Sequence, residues 1–360
     1  MRRGSFITIV LLAAALLATC AAPVHAGSEG GVPDPGVAAM IAETSEDRID
    51  QTIWDLQNLT SRSFPSAGNR AAAEYISQRL DATPGLEVDY QSDRYHNIIA
   101  TLPGRRSSPD RAIIVGAHYD SRSDDPERAP GATDNGGGVA IVLELAHVMS
   151  QREFDDTILF AFWNAEERKF RGSADFTTMA ADHDLDIPLY LNYDSACYDP
   201  DNRLVLDVIY NEKAKPFAEL ATYYNHLYDV GFSMTYNEQE GISDHIPFWQ
   251  EGYPAVMTAA ESIPAEVHTE DDTIELVSTG YAKKNAQLGM AIISGVANRG
   301  VPKPGLSTPE LPPGATIPDG MEESIDDIDG DGAISFDERM YYLNQNAFVA
   351  ADWPLGEFYH

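Results

Sequence analysis

Four apolar, β-favouring runs constrain this chain more than any other feature: residues 97–102, 112–117, 157–163 and 189–193. A strand with one face in water alternates apolar and polar residues. These runs are apolar at nearly every position, so both faces must be covered. Helical patterns surround them at residues 47–59, 69–80 and 138–149, the second opening with the helix-favouring Asn-Arg-Ala-Ala-Ala-Glu. Further on, residues 216–228 and 281–298 read as helices and 255–259 as a strand. Strands alternating with helices predict an α/β fold with a mixed, largely parallel central sheet and helices on both faces.

The two ends of the chain read differently. Arg2 and Arg3, the apolar residues 6–18 and Val24-His25-Ala26 form the three parts of an export signal over residues 1–26. The apolar part is shorter than a membrane span, and no later segment approaches that length. Leu17-Ala18-Thr19-Cys20 also resembles a lipobox with Thr in an unusual place, so acylation of Cys20 is the alternative. The expected location is secreted or periplasmic, with an outer-surface lipoprotein as the other reading. Cys20 is lost or modified either way, which leaves Cys197 alone and rules out an intrachain disulfide. Residues 27–43 read as a flexible lead-in, 44–300 as the main domain, 301–320 as a Pro-rich linker and 321–360 as an acidic tail. The 57 acids against 24 bases give a formal charge of −33, which repels nucleic acids and anionic membranes. Such a balance suits salty surroundings, or acids committed to metals.

In open α/β sheets, ligands gather beyond the carboxyl ends of the strands. His118 stands there after the run 112–117, with Asp120 two residues on. Pro130-Gly-Ala-Thr-Asp-Asn-Gly-Gly-Gly138 carries Asp134 in a turn-rich loop, and Phe162-Trp-Asn-Ala-Glu-Glu167 ends the next strand with paired acids. Asp194 follows the strand after that, and His268 lies in Val267-His-Thr-Glu-Asp-Asp-Thr273. Singly these signals are weak, since a Gly-rich turn is usually only a turn and paired Glu usually a solvated helix start. Together, two imidazoles and three carboxylates, one of them shared, suffice for two adjacent zinc sites and leave one carboxylate for proton transfer.

Four stretches, in order, resemble the co-catalytic di-zinc aminopeptidases, relatives of the secreted bacterial leucyl aminopeptidases, glutamate carboxypeptidase and the transferrin receptor. They are Gly116-Ala-His-Tyr-Asp-Ser121, Pro130-Gly-Ala-Thr-Asp-Asn135, Asn164-Ala-Glu-Glu-Arg-Lys-Phe-Arg-Gly-Ser173 and Val267-His-Thr-Glu-Asp-Asp-Thr273. Asn97-Ile-Ile-Ala100 and Ser243-Asp-His245 also match, so the resemblance runs over residues 50–298. It implies that His118 and Asp194 hold one zinc, Glu167 and His268 the other, and that Asp134 bridges both with a cis peptide to Asn135 after it. Glu166 would be the general base, and Asp120 would orient the His118 imidazole through its other nitrogen. Two zinc ions sharing a water lower its pKa toward ~7, and Glu166 passes the proton to the departing amine.

The implied activity is an exopeptidase removing N-terminal residues from peptides or proteins with a free N-terminus. A carboxypeptidase, a glutaminyl cyclase and a non-catalytic binding protein on the same scaffold are the alternatives. Met257 and Val267 are candidates for an apolar side-chain pocket, with a core role equally open. Two positions depart from the family pattern: Thr133 stands where many members carry an acid, and Lys169 where Gly is common, which bears on loop shape and substrate preference. Cys197 reads as a small buried hydrophobe. Ser243-Asp244-His245 looks like a serine triad, but contiguous residues rarely converge that way, so a supporting role is expected.

A second metal motif lies in the tail. Asp327-Ile-Asp-Gly-Asp-Gly-Ala-Ile-Ser-Phe-Asp-Glu338 fits the EF-hand calcium loop. Asp327, Asp329 and Asp331 are the first donors, Gly332 permits the turn, Ala333 offers its carbonyl, Ser335 takes the ninth position and Glu338 is the bidentate carboxylate. Ile334 is the apolar residue expected to face inward. One Ca2+ is expected, in a structural role because only one loop is present; a solvated acidic tail is the bland alternative.

Overall fold

The computed structural model describes residues 31–298, apart from residue 93, residues 107–110 and residues 239–240. The export signal, Cys20, the Pro-rich linker and the calcium loop therefore lie outside the described residues. The strands are β1 (Glu87–Gln91), β2 (Asn97–Leu102), β3 (Ala112–His118), β4 (Thr157–Trp163), β5 (Tyr190–Tyr193), β6 (Val205–Tyr210), β7 (Ser233–Glu238) and β8 (Ala255–Ala260). They form one sheet in the order β1-β2-β4-β3-β5-β8-β6-β7. Its centre, β4-β3-β5-β8, is parallel throughout. β6 and β7 form a further parallel pair, while β1, β2 and β6 join their neighbours toward the centre in antiparallel fashion.

Helices cover both faces. They are α1 (Pro35–Glu43), α2 (Glu46–Gln57), α3 (Ala67–Asp81), α4 (Gly137–Met149), α5 (Arg171–Asp182), α6 (Lys215–Leu227), α7 (His245–Gln250) and α8 (Thr279–Ala297). Along β3, Ile113, Val115 and Ala117 enter the larger core, which the other helices build. Ile114 points the other way, into a smaller core with Trp163, Phe176 of α5, Tyr190 and Phe248 of α7. A continuous apolar run is what a strand sandwiched this way requires. Gly116 lets the sheet close over the smaller core: a Cβ there would sit 2.8 Å from Trp163 Nε1 and 2.9 Å from the Ala161 carbonyl oxygen.

The predicted strands recur to within one residue and the predicted helices to within two. The lead-in at 27–43 needs correcting, because its last nine residues form α1. Asp34 caps that helix, accepting from Gly36 N at 2.7 Å and Val37 N at 3.0 Å, and Pro35 occupies the first position. Val37 and Met40 are buried in the main core. Asp-Pro-Gly at 34–36 thus starts a helix, whereas its composition suggests a loop. Among the described residues, no helix is long and apolar enough to cross a membrane.

Candidate metal centre

Register places the chemistry. β3 pairs with β4 so that His118 faces Trp163, and with β5 so that Gly116 faces Asn192. The carboxyl ends of three parallel strands are therefore level. His118 ends β3, Glu166 and Glu167 occupy a single helical turn after β4, and Asp194 directly follows β5. Asp134 arrives from the loop between β3 and α4, and His268 from the loop after β8. The Asp134–Asn135 peptide is cis.

The five proposed ligands meet. Asp134 Oδ1 lies 3.1 Å from His118 Nε2, and Asp134 Oδ2 lies 3.0 Å from His268 Nε2. Asp194 Oδ2 is 3.6 Å from His118 Nε2, and Glu167 Oε1 is 3.1 Å from His268 Nε2. Donor atoms of Asp134, Glu167 and His268 fall within 4.8 Å of one another, as do those of His118, Glu166 and Asp194. Proximity alone thus groups Glu166 with a ligand set, but its Oε2 is the outermost of the three acids around His118 Nε2, at 4.0 Å.

Two observations test whether metal fits. His118 Nε2 and Glu167 Oε1 are buried without a hydrogen-bond partner among the described residues, despite neighbours at 3.1 Å. A shared cation satisfies such pairs, since two ligands bonded at ~2.0–2.1 Å to a tetrahedral zinc sit roughly 3.3–3.4 Å apart. Charge agrees. Burial opposes protonation of His118, yet Glu166 and Asp194 beside it hold its pKa well above the usual value. Contacts with Asp134 and Glu167 push His268 up to about 10. Burial raises Glu166, helped by the charges on Asp194, Asp244 and Asp134, and burial also raises Glu167. A pocket that strains its acids and over-stabilises imidazolium is built for cations, and its imidazole and carboxylate donors suit zinc.

Behind the ligands lies a set of supports, partly unforeseen. Asp120 departs from expectation. His118 Nδ1 is 3.1 Å from the backbone carbonyl oxygen of Asp120 and 3.6 Å from its carboxylate, so the carbonyl is the nearer partner. The carboxylate instead accepts the backbone N–H groups of Glu166 at 3.0 Å and Glu167 at 3.2 Å, fixing the turn that carries them. Arg62 is fully buried and donates to the carbonyl oxygens of Tyr119 at 2.9 Å, Gly131 at 2.8 Å and Pro130. Burial pulls its pKa down to about 10, against the pull of Asp272, Asp120, Asp134 and Glu167. Ser243 and Asp244 do not form a triad: Ser243 Oγ accepts from Asn192, and Asp244 accepts from Ser173. Cys197 is buried beside the Thr133 carbonyl oxygen, as a small hydrophobe would be.

Asp272 is the clearest omission. Its carboxylate accepts Thr133 N at 2.9 Å, Thr133 Oγ1 at 2.7 Å and Asp134 N at 3.0 Å, clamping the loop that presents Asp134. Thr133, where relatives often carry an acid, here serves this clamp. Asp272→Ala leaves two buried amides unpaired, which predicts a loss of roughly 3 kcal/mol in urea unfolding. Zinc affinity should fall about 10–100-fold in a metal titration. Wild-type values in both measurements would remove the clamp from the account.

Known proteins resemble this chain in sequence and in fold. A probable leucine aminopeptidase of Trichophyton verrucosum is 26% identical over 281 residues, covering 72% of this chain and 75% of the relative. Among solved structures, the Legionella pneumophila LapA aminopeptidase superposes with a TM-score of 0.65 at 21% identity, over 73% of this chain and 74% of that one. A glutaminyl cyclase of Fimbriiglobus ruber superposes with a TM-score of 0.60 at 19% identity, over 70% of this chain and 95% of that one. At such identities the superpositions speak for the fold alone. The model of peptidase family M28 matches residues 97–293 of the 360, the stretch that runs from β2 through the whole ligand set into α8, and the chain belongs to that family.

Proposed function

We propose that the protein is a zinc-dependent aminopeptidase that releases N-terminal residues from peptides. The observation that carries the reading is the division of the Asp134 carboxylate, one oxygen toward His118 and the other toward His268. That arrangement suits two neighbouring ions, with Asp194 completing one side and Glu167 the other. When bound, the ions supply Lewis acidity that polarises the scissile carbonyl and acidifies water. Glu166 takes the proton of the attacking water on its carboxylate and returns it to the departing amine nitrogen. Burial raises the basicity of that carboxylate above that of an ordinary Glu. Asp120 holds Glu166 in place through the backbone. A free α-amine is cationic, and the acids around the centre favour it over a terminal carboxylate. The name of the Trichophyton relative points the same way.

A glutaminyl cyclase shares this fold, so the substrate separates the readings. Leucyl-nitroanilide should be hydrolysed and its N-acetyl derivative left intact. Cyclisation of N-terminal glutamine peptides without peptide hydrolysis would overturn the assignment, as would C-terminal cleavage of N-blocked peptides. Secretion after removal of residues 1–26 is part of the same proposal, and N-terminal sequencing of the exported protein checks it. So is calcium binding by Asp327, Asp329, Asp331, Ala333, Ser335 and Glu338, which rests on the EF-hand spacing. Asp327→Ala with Glu338→Ala should abolish the rise in melting temperature on adding calcium; a rise that survives both changes would leave the tail merely solvated.

A further inference from the structure

Strand order gives the two flanks of the metal centre different chemistry. Toward β8 and β6, Ile209, Met257 and Ala259 form an apolar cluster. The segment before α7 packs on it, since a Cβ on Gly241 would lie 3.1 Å from Ile209 Cδ1. Ile242 in that segment and Ile263 after β8 remain 80% and 59% exposed. Toward β4, the turn holding Glu166 and Glu167 continues as Arg168-Lys169-Phe170-Arg171, with all three bases exposed.

Lys169 and Arg171 bring no evident structural benefit. Lys169 and Phe170 take left-handed φ values of 72° and 54°, and Arg171 opens α5, where a cation meets the positive end of the helix dipole. Arg168 reaches the Phe64 carbonyl oxygen at 3.1 Å. Among the described residues, no carboxylate oxygen lies within 4.0 Å of the three charges, in a chain with 57 acids to 24 bases. Arg105 and Arg128, also well exposed, each hold a carboxylate at 2.6 Å. Three cations without a carboxylate partner among the described residues thus directly follow Glu166 and Glu167, with the Cα of Lys169 at most ~7 Å from that of Glu167.

We propose that Arg168, Lys169 and Arg171 form a cationic rim that favours substrates bearing a carboxylate on the residue just past the scissile bond. This rests on the aminopeptidase reading. A peptide whose first side chain lies on the apolar flank crosses the centre and sets its second residue over the β4 flank. The carboxylate is either the side chain of that residue or, in a dipeptide, its C-terminus. The molecule as a whole repels anions, but with a Debye length of ~8 Å at physiological salt the nearest charges dominate at contact.

The test compares kcat/KM for Leu-Glu-amide against Leu-Gln-amide, and for Leu-Leu against Leu-Leu-amide, with leucyl-nitroanilide as the reference. The first pair isolates a side-chain carboxylate and the second a terminal one. At low salt at least one acid form should be favoured about tenfold, and that ratio should fall to one or below in Lys169→Glu with Arg171→Glu. Salt at about 1 M, where the Debye length is ~3 Å, should also erase it. Lys169→Gln with Arg171→Gln serves if the double reversal does not fold. Equal rates within both pairs, or a preference that the variants leave intact, would overturn the rim. Inactivity toward leucyl-nitroanilide would instead sink the aminopeptidase reading and the rim with it, so the two failures are told apart.

Discussion

Glu166→Gln should lower kcat by about 10³-fold or more while both metal positions keep their affinity for zinc. The substitution keeps size and shape but removes the ability to accept a proton. The backbone N–H of residue 166 still donates to Asp120, so the turn stays in place. Among the acids around His118 Nε2, Glu166 is the most distant, behind Asp134 at 3.1 Å and Asp194 at 3.6 Å. Metal analysis and melting temperature in the presence of zinc should match the wild type. The pH dependence carries the sign: the base works only when ionised, so wild-type kcat/KM rises with pH through the raised pKa of Glu166. That acid limb should vanish in the variant. Loss of zinc together with activity would make Glu166 a ligand, a role its proximity to His118 and Asp194 allows, and another base would then be needed.

The parts of this molecule that were legible in the sequence share one property: local pattern and chemistry coincide there. β3 announces itself as a continuous apolar run, and His118 at its end becomes informative only when read together with Asp134, the Glu166-Glu167 pair after β4, Asp194 after β5 and His268. What stayed hidden depends on partners far along the chain. Arg62 carries no signal in the sequence, since no periodicity marks such a residue, yet it is buried against three carbonyl groups. Asp272 lies inside a recognised motif, but its hydrogen bonds reach back 139 residues to Thr133. Three strands escape notice: β1 and β7 because sheet edges carry polar side chains, here Glu87, Asp89 and Gln91 in one and Ser233, Thr235 and Asn237 in the other, and the interior β6 because Asp207 interrupts its apolar run. Asp120 was found in the right place with a different division of labour, because sequence does not distinguish a carboxylate contact from one made by the same residue's carbonyl.

Asp134→Asn should weaken both metal positions together, and this separates a bridging acid from an ordinary ligand. Asparagine preserves the volume and keeps the 3.0 Å amide bond to Asp272, because that bond uses the backbone. It offers one oxygen and no charge, so it cannot serve His118 and His268 at once as the carboxylate does at 3.1 and 3.0 Å. Asp194→Asn alters only the side that holds His118, and zinc should then bind at one position with near-native affinity. In Asp134→Asn both affinities should drop about 100-fold or more. At fixed excess zinc, each such drop removes roughly 2.7 kcal/mol of metal-linked stability, so the zinc-dependent rise in melting temperature should nearly disappear. Hydrolysis should fall below detection, and titration calorimetry should lose both binding events. If Asp134→Asn loses one ion and keeps the other at wild-type strength, the carboxylate does not bridge, and the two-ion reading of the centre fails with it.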